Sequence, residues 1–119
     1  QLGIRTRCSD DMLFLVYAVE EYIDFTGNYN ILNETTSYID APELGEDERD
    51  RVDFYTKTSR SGTIFEHCLK AIKVACQFGE HGMPLIKNND WNDGMDNVGR
   101  KGKGESIWLG FFLYNILIR

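Results

Sequence analysis

One stretch decides the predicted fold: Thr63-Ile64-Phe65-Glu66-His67-Cys68-Leu69-Lys70-Ala71-Ile72-Lys73-Val74-Ala75-Cys76. Thr63 and Glu66 have the spacing of a capping box, in which each side chain bonds the backbone N–H of the other residue. The apolar residues that follow recur at intervals of three and four, as on one face of a helix. The pattern therefore predicts a helix that starts after Thr63 and ends before Gly79.

Two further helices are predicted, one on each side of this stretch. Ser9 can cap a helix that carries Asp10 and Asp11 in its first turn and ends at Gly27. Residues 105–119 predict a last helix that is apolar nearly all round. Residues 31–39 predict a short helical turn, and residues 41–62 and 80–104 predict irregular loops. Because no strand-like alternation is apparent, the predicted class is all-α.

Composition excludes several classes of protein. The chain of 119 residues has a net charge of −6, which argues against binding to a nucleic-acid backbone. Its apolar runs are shorter than the roughly 20 residues that cross a bilayer. Three cysteines without a CxxC or Cys/His spacing predict buried thiols in a reducing compartment, with no metal or redox role.

The last helix also bears on domain organisation. A helix that is apolar on all sides must be buried on all sides, and two other helices can hardly enclose it. The chain also begins at Gln1 without an initiator Met. We therefore expect residues 1–119 to be an internal part of a larger domain that continues beyond both ends.

The densest functional signal is a polar segment that contains three carboxylates, three amides and a tryptophan. Its sequence is Asn88-Asn89-Asp90-Trp91-Asn92-Asp93-Gly94-Met95-Asp96. The register of a calcium loop fails because its twelfth position is Gly99. An aromatic face beside amides and carboxylates is suited to hold a sugar. The alternative is a turn rich in Asn and Asp in which Trp91 anchors a core.

Three motifs resemble the central segment of glycoside hydrolase family 94. They are Gly82-Met83-Pro84-Leu85-Ile86, Asp90-Trp91-Asn92-Asp93-Gly94-Met95 and Gly102-Lys103-Gly104-Glu105-Ser106-Ile107-Trp108-Leu109-Gly110. The opening Gly3-Ile4-Arg5-Thr6-Arg7-Cys8-Ser9-Asp10-Asp11 and the start of the central helix are also similar to that family. The sequence departs from the family pattern at Asn88-Asn89, where glycines are usual, and at Asp96, where Asn is common. The resemblance implies an inverting glycoside phosphorylase with an (α/α)6 catalytic barrel.

The resemblance also implies roles for individual residues. Asp93 corresponds to the general acid, and Trp91 to the residue that contacts the donor glucosyl unit. Arg5 and Asp11 match other donor-subsite ligands, although a charge pair at a helix start is the plainer interpretation of these two. The neighbouring Asp10 and Asp90 are expected among the substrate ligands. Glu66, His67 and Glu105 are candidates for supporting polar groups, but capping, a first-turn carboxylate and core packing explain them better.

The implied reaction is phosphorolysis of a β-1,2- or β-1,4-linked gluco-oligosaccharide to α-glucose 1-phosphate. An inverting hydrolase needs an acid and a base, whereas phosphate is already an anionic nucleophile, so a phosphorylase needs one acid. No cofactor is expected beyond phosphate as co-substrate, and most phosphate ligands are expected outside this chain. The expected partners are the oligosaccharide and the remainder of the parent chain, and a homodimer is left open. The expected location is cytoplasmic, or membrane-associated if the parent is a cyclic glucan synthase.

Two other functions remain open at this point. An inverting (α/α)6 hydrolase would use a second carboxylate, such as Asp11 or Glu66, as its base. A non-catalytic carbohydrate-binding module would use Trp91 and its neighbours only to hold sugar. Phosphate dependence and product identity separate these functions from a phosphorylase.

Overall fold

A computed structural model describes residues 2–119. These residues form three α-helices, four β-strands and two short 3-10 turns. In chain order the elements are β1 (Leu2–Thr6), α1 (Leu13–Thr26), a turn (Tyr29–Asn33), β2 (Thr35–Asp40), β3 (Asp50–Phe54), β4 (Thr56–Thr63), α2 (Ile64–Ala75), a turn (Asp93–Met95) and α3 (Ile107–Leu117).

The predicted capping box at the start of α2 is confirmed. The Thr63 hydroxyl accepts the Glu66 N–H at 3.1 Å, and the Glu66 carboxylate accepts the Thr63 N–H at 2.7 Å. Gly27 also ends α1 as predicted, with a φ of 67° that favours glycine. The cap predicted at Ser9 is wrong, because α1 begins at Leu13 and the Ser9 hydroxyl donates instead to the Asn89 carbonyl.

The core lies where the three helices meet. It contains eight buried residues: Leu13, Val16, Cys68, Ala71, Ala75, Leu109, Leu113 and Ile116. Only one face of α3 takes part, and Ile107, Phe111 and Tyr114 on the other face are exposed. Within residues 2–119, therefore, α1 and α2 do not enclose α3. This agrees with the prediction made from its all-round apolar sequence.

The all-α prediction, and with it the assignment to an (α/α)6 barrel, is wrong for this chain. Two antiparallel two-stranded sheets accompany the helices, so the fold is mixed α and β. Strand β1 pairs with β3, with Leu2 opposite Phe54 and Thr6 opposite Asp50. Strand β2 pairs with β4, from Thr35 opposite Thr63 to Asp40 opposite Thr56. These strands occupy most of the segments predicted as a helical turn and a long loop.

The composition of the strands explains why they were missed. Strands β2 and β4 are rich in threonine and serine and have no continuous apolar face. Threonine favours strands through its branched Cβ atom, but this preference leaves no hydrophobic alternation to detect. Strands β1 and β3 are each five residues long and carry only two alternate apolar residues, which is too few to recognise as a strand pattern. Their pairing also joins segments more than forty residues apart, which a local pattern cannot reveal.

Two further predictions concern cysteines and membranes. Cys8, Cys68 and Cys76 are all free thiols, but the predicted burial holds only for Cys68, since Cys8 and Cys76 are partly exposed. In the part of the chain that the structure describes, no helix has the length and apolarity needed to span a bilayer.

Candidate functional site

The polar segment 88–96, here called the acid loop, is folded by its own side chains. The Asp90 carboxylate accepts the Asn92 N–H at 3.0 Å, and the Asn92 side chain accepts the Gly94 N–H at 3.0 Å. The second bond caps the 3-10 turn Asp93–Met95. Asx residues stabilise turns in this way. As a result the loop presents the Asp93 side chain at the surface.

The acid loop is anchored to the segment that precedes α1. The Ser9 N–H donates to the Asn89 carbonyl at 3.0 Å. The Cys8 thiol donates to the Asn89 side-chain oxygen at 2.7 Å. Asn89 thus uses its side chain and its backbone carbonyl to join two segments that are about eighty residues apart.

This anchoring brings the four predicted aspartates together. Asp10 is buried, and its pKa is raised first by that burial and then by the negative charges of Asp11, Asp90 and Asp93. The pKa of the nearby Cys8 thiol is also raised, chiefly by burial. Asp11 is exposed and accepts a hydrogen bond from the Thr6 hydroxyl. The aspartates therefore form one acidic cluster, although they come from the two ends of the chain.

Trp91 lies on the same loop and is 58 % exposed, so it is not a core anchor. Its ring centroid lies 6.0 Å from that of Trp108 in the first turn of α3. Trp108 in turn lies 5.2 Å from Phe112. An exposed indole backed by a second indole offers a supported flat surface for the C–H face of a sugar.

Arg5 is turned towards the segment between β2 and β3. Its guanidinium donates to the carbonyls of Ala41 and Pro42 at 2.9 and 2.7 Å, and it pairs with Glu43 at 3.2 Å. Arg5 and Asp11 line a common cavity of about 940 Å³, but Asp10, Asp90, Trp91 and Asp93 are not among its lining residues. Arg5 therefore shares a cavity with Asp11 and with Asn88 of the acid loop, but not with Trp91 or Asp93.

The three supporting candidates have structural partners. Glu66 completes the capping box of α2. The His67 ring stacks on Tyr38 with centroids 4.2 Å apart, and its Nε2 atom lies 3.2 Å from the Thr36 carbonyl oxygen. The Glu105 carboxylate accepts the N–H groups of His81 and Met83 at 3.1 and 2.9 Å. A hydrogen bond from the His81 ring, followed by these backbone bonds, holds the pKa of Glu105 below its ordinary value.

Sequence reasoning gave no role to Ser106, which the structure places beside the acid loop. The last helix was predicted from residue 105, whereas α3 begins at Ile107 and Ser106 is its N-cap. The Ser106 hydroxyl also donates to the Asp90 carboxylate at 2.6 Å. A serine directly before an apolar helical run is an N-cap signal, so its capping role was detectable from sequence. Its bond to Asp90 was not.

The chain matches one family model along its whole length. The model describes the catalytic domain of the glycosyl hydrolase 94 superfamily and covers residues 1–119. A cyclic beta-(1,2)-glucan synthase NdvB of Rhizobium meliloti (strain 1021) is 41 % identical over 116 residues, which is 97 % of this chain and 4 % of that protein. A solabiose phosphorylase of Paenibacillus borealis is 32 % identical over 92 % of this chain and 12 % of that protein. A cellobionic acid phosphorylase of Neurospora crassa is 29 % identical over 85 % of this chain and 11 % of that protein. The chain thus spans about an eighth or less of each of these relatives.

Proposed function

We propose, because the chain belongs to the catalytic domain of the glycosyl hydrolase 94 superfamily, that its full-length protein is an inverting phosphorylase of β-linked gluco-oligosaccharides. The predicted family is thereby confirmed, whereas the reaction and substrate are our proposal. Relatives named as phosphorylases of solabiose and cellobionic acid support phosphorolysis. The more similar relative named as a cyclic beta-(1,2)-glucan synthase makes β-1,2-linked glucans the first substrates to test, before β-1,4-linked ones.

The observation that carries the proposal is the arrangement of Trp91 and Asp93. Both side chains are exposed on a loop whose backbone is fixed by side-chain bonds. Asp93 follows Trp91 by two residues, and its carboxyl group has no hydrogen bond within the described residues. A sugar stacked on the Trp91 indole would therefore lie near this carboxyl group. Asp90, by contrast, uses both of its oxygens within the chain. Asp96, the third carboxylate of the loop, pairs with Arg49, so Asp93 is the carboxyl group of this loop that is available to a substrate.

The proposed chemistry needs one proton donor from this chain. A phosphate oxygen attacks the anomeric carbon from the face opposite the leaving group, and the bond from that carbon to the glycosidic oxygen breaks. The Asp93 carboxyl group gives its proton to the departing oxygen, which becomes a hydroxyl of the shortened glucan. The products are α-glucose 1-phosphate and that glucan, and Asp93 regains a proton from solvent. We expect other parts of the protein to hold the phosphate.

The remaining predicted ligands have different relations to the donor sugar. Asp10 and Asp11 stand in the same acidic cluster as Asp93 and offer oxygens to sugar hydroxyls. Arg5 has two of its N–H groups on carbonyls and a third on Glu43, so its Nε–H and one further N–H remain for a ligand. We propose that Arg5 bonds a hydroxyl at the edge of the donor site while holding the segment before β3.

Phosphate dependence tests this function in the full-length protein. Gluco-oligosaccharides with β-1,2 or β-1,4 links should release α-glucose 1-phosphate when phosphate is present and be stable when it is absent. Release of free glucose without phosphate would identify the inverting hydrolase, with Asp11 as the better candidate base because Glu66 is engaged in the α2 cap. Sugar binding with no product under either condition would identify a binding module.

A further inference from the structure

Ser106 stands at the junction between the acid loop and α3. It is buried, its hydroxyl oxygen accepts the Leu109 N–H at 2.9 Å, and the same hydroxyl donates to the Asp90 carboxylate at 2.6 Å. Its own N–H donates to the Pro84 carbonyl at 2.8 Å. One side chain therefore caps the helix and binds the loop, so that the position of the loop is tied to the first turn of α3.

Asp90 transmits this link to the rest of the loop. It is only 7 % exposed, and its second carboxylate oxygen accepts the Asn92 N–H. The Asn92 side chain then caps the turn that begins at Asp93. A series of hydrogen bonds thus runs from the start of α3 through Ser106, Asp90 and Asn92 to the turn that carries Asp93.

The aromatic pair Trp91 and Trp108 lies at the same junction. Trp108 lies in the first turn of α3, two residues after Ser106, and its ring lies 6.0 Å from that of Trp91. Trp91 itself directly follows Asp90 in sequence. The bond between Ser106 and Asp90 therefore fixes both the acid and the sugar platform relative to one rigid element.

We propose that Ser106 and Asp90 are positioning residues, which hold Asp93 and Trp91 in the geometry for proton donation and do not themselves contact the sugar. This inference rests on the proposed phosphorolysis. Misplacement of a reacting group by about 1 Å costs on the order of 10²-fold in rate. The Ser106 hydroxyl bonds both the first turn of α3 and Asp90, and so prevents such a displacement of the acid loop.

The test is Ser106→Ala in the full-length protein, assayed with a natural β-glucoside and with a β-glucosyl fluoride, each with phosphate. Turnover of the natural substrate should fall about 10²-fold, because its leaving oxygen needs a well-placed proton. Turnover of the fluoride should fall much less, because fluoride leaves without one. Ser106→Thr, which still carries a hydroxyl group, should keep most of the wild-type activity that Ser106→Ala loses.

Thr63→Ala is the matched control because it removes the equivalent N-cap of α2, which has no bond to the acid loop. It should leave the ratio of the two turnover rates unchanged. Asp90→Asn keeps the cap of α3 but deprives the Ser106 hydroxyl of its carboxylate, so it should change the ratio in the same direction as Ser106→Ala. If Ser106→Ala does not fold, the comparison of Asp90→Asn with wild type decides the question.

The inference is overturned if Ser106→Ala or Asp90→Asn lowers both turnover rates equally. It is also overturned if either variant retains the wild-type rates. These outcomes differ from failure of the proposed function, because in that case the wild-type protein itself would release no glucose 1-phosphate.

Discussion

At the residue scale, the proposed function assigns sugar binding to Trp91 and proton donation to Asp93, both on one short loop. The two residues are separated by Asn92, whose side chain caps the following turn. Polar side chains of the loop bond its own backbone and stabilise its turns. Residues with separate tasks can therefore be tested separately.

Trp91→Ala in the full-length protein should weaken donor-sugar binding by about 1–3 kcal/mol, because the stacking surface is lost. The melting temperature should change little, since the indole is mostly exposed. Steady-state kinetics with natural substrate measure the effect, and Tyr29→Ala, which removes an exposed ring elsewhere, is the control. A folded Trp91→Ala variant with wild-type kinetics would refute a sugar contact.

Asp10 should make stability depend on pH. Its raised folded-state pKa means that, as pH rises above the ordinary value of 3.8, the unfolded chain ionises first and the free energy of unfolding falls. Asp10→Asn removes this buried charge and its repulsion with three other aspartates, so it should stabilise the full-length protein at neutral pH. Donor-sugar binding should weaken at the same time.

Denaturant unfolding at neutral and at mildly acidic pH measures this effect. Asp40→Asn, at an exposed position, controls for the loss of one negative charge. Equal stability of wild type and Asp10→Asn at neutral pH would show that the buried Asp10 carboxylate does not destabilise the folded protein.

Patterns among residues close in sequence predicted the helix ends, but not the hydrogen bonds that join distant segments at the site. The capping box of α2 and the end of α1 at Gly27 depend on residues close in sequence, and both were predicted correctly. The bonds from Ser106 to Asp90 and from Cys8 to Asn89 join residues distant in sequence. Such bonds are decided by tertiary packing, so the gathering of the four aspartates was not predictable from spacing.

At the element scale, the helices were predicted and the strands were not. The helices bury apolar stripes, which give a strong periodic signal. The strands form exposed two-stranded ribbons held by backbone pairing, to which the strand preference of threonine adds in β2 and β4. Leu2, Ile4, Val52 and Phe54 share one exposed face of the first ribbon, yet two apolar residues per strand are too few to predict a sheet.

Leu109 should be essential to the packing of the three helices because it is fully buried in their common core. Leu109→Ala in the full-length protein should lower the free energy of unfolding by about 2–5 kcal/mol, as expected when a large buried side chain leaves a cavity. Denaturant unfolding measures this, with Lys101→Ala at an exposed position as control. A loss below about 1 kcal/mol would contradict the burial of Leu109 in this core.

At the scale of the whole molecule, the chain has a small core and much exposed apolar surface. Eight residues form the core, while Ile107, Phe111 and Tyr114 of α3 are exposed together with Phe14 and Phe25 of α1. Exposed apolar surface of this extent marks a region that normally contacts other structure. The small share of each relative that this chain covers is consistent with such contacts.

The isolated 119 residues should therefore lack a cooperative thermal transition as a monomer, whereas the full-length protein should melt cooperatively. Circular dichroism melting, combined with a measurement of oligomeric state, makes the comparison. A monomeric fragment that melts cooperatively would show that this small core is sufficient.

The proton donor is tested most directly by Asp93→Asn in the full-length protein, with turnover of a natural β-glucoside compared with that of a β-glucosyl fluoride. Asparagine keeps the shape of the side chain but cannot donate a proton to the leaving oxygen. We predict a loss of about 10²–10⁴-fold on the natural substrate and a far smaller loss on the fluoride, with sugar binding retained. Equal losses on both substrates in a variant that still binds sugar would contradict the assignment of Asp93 as the general acid.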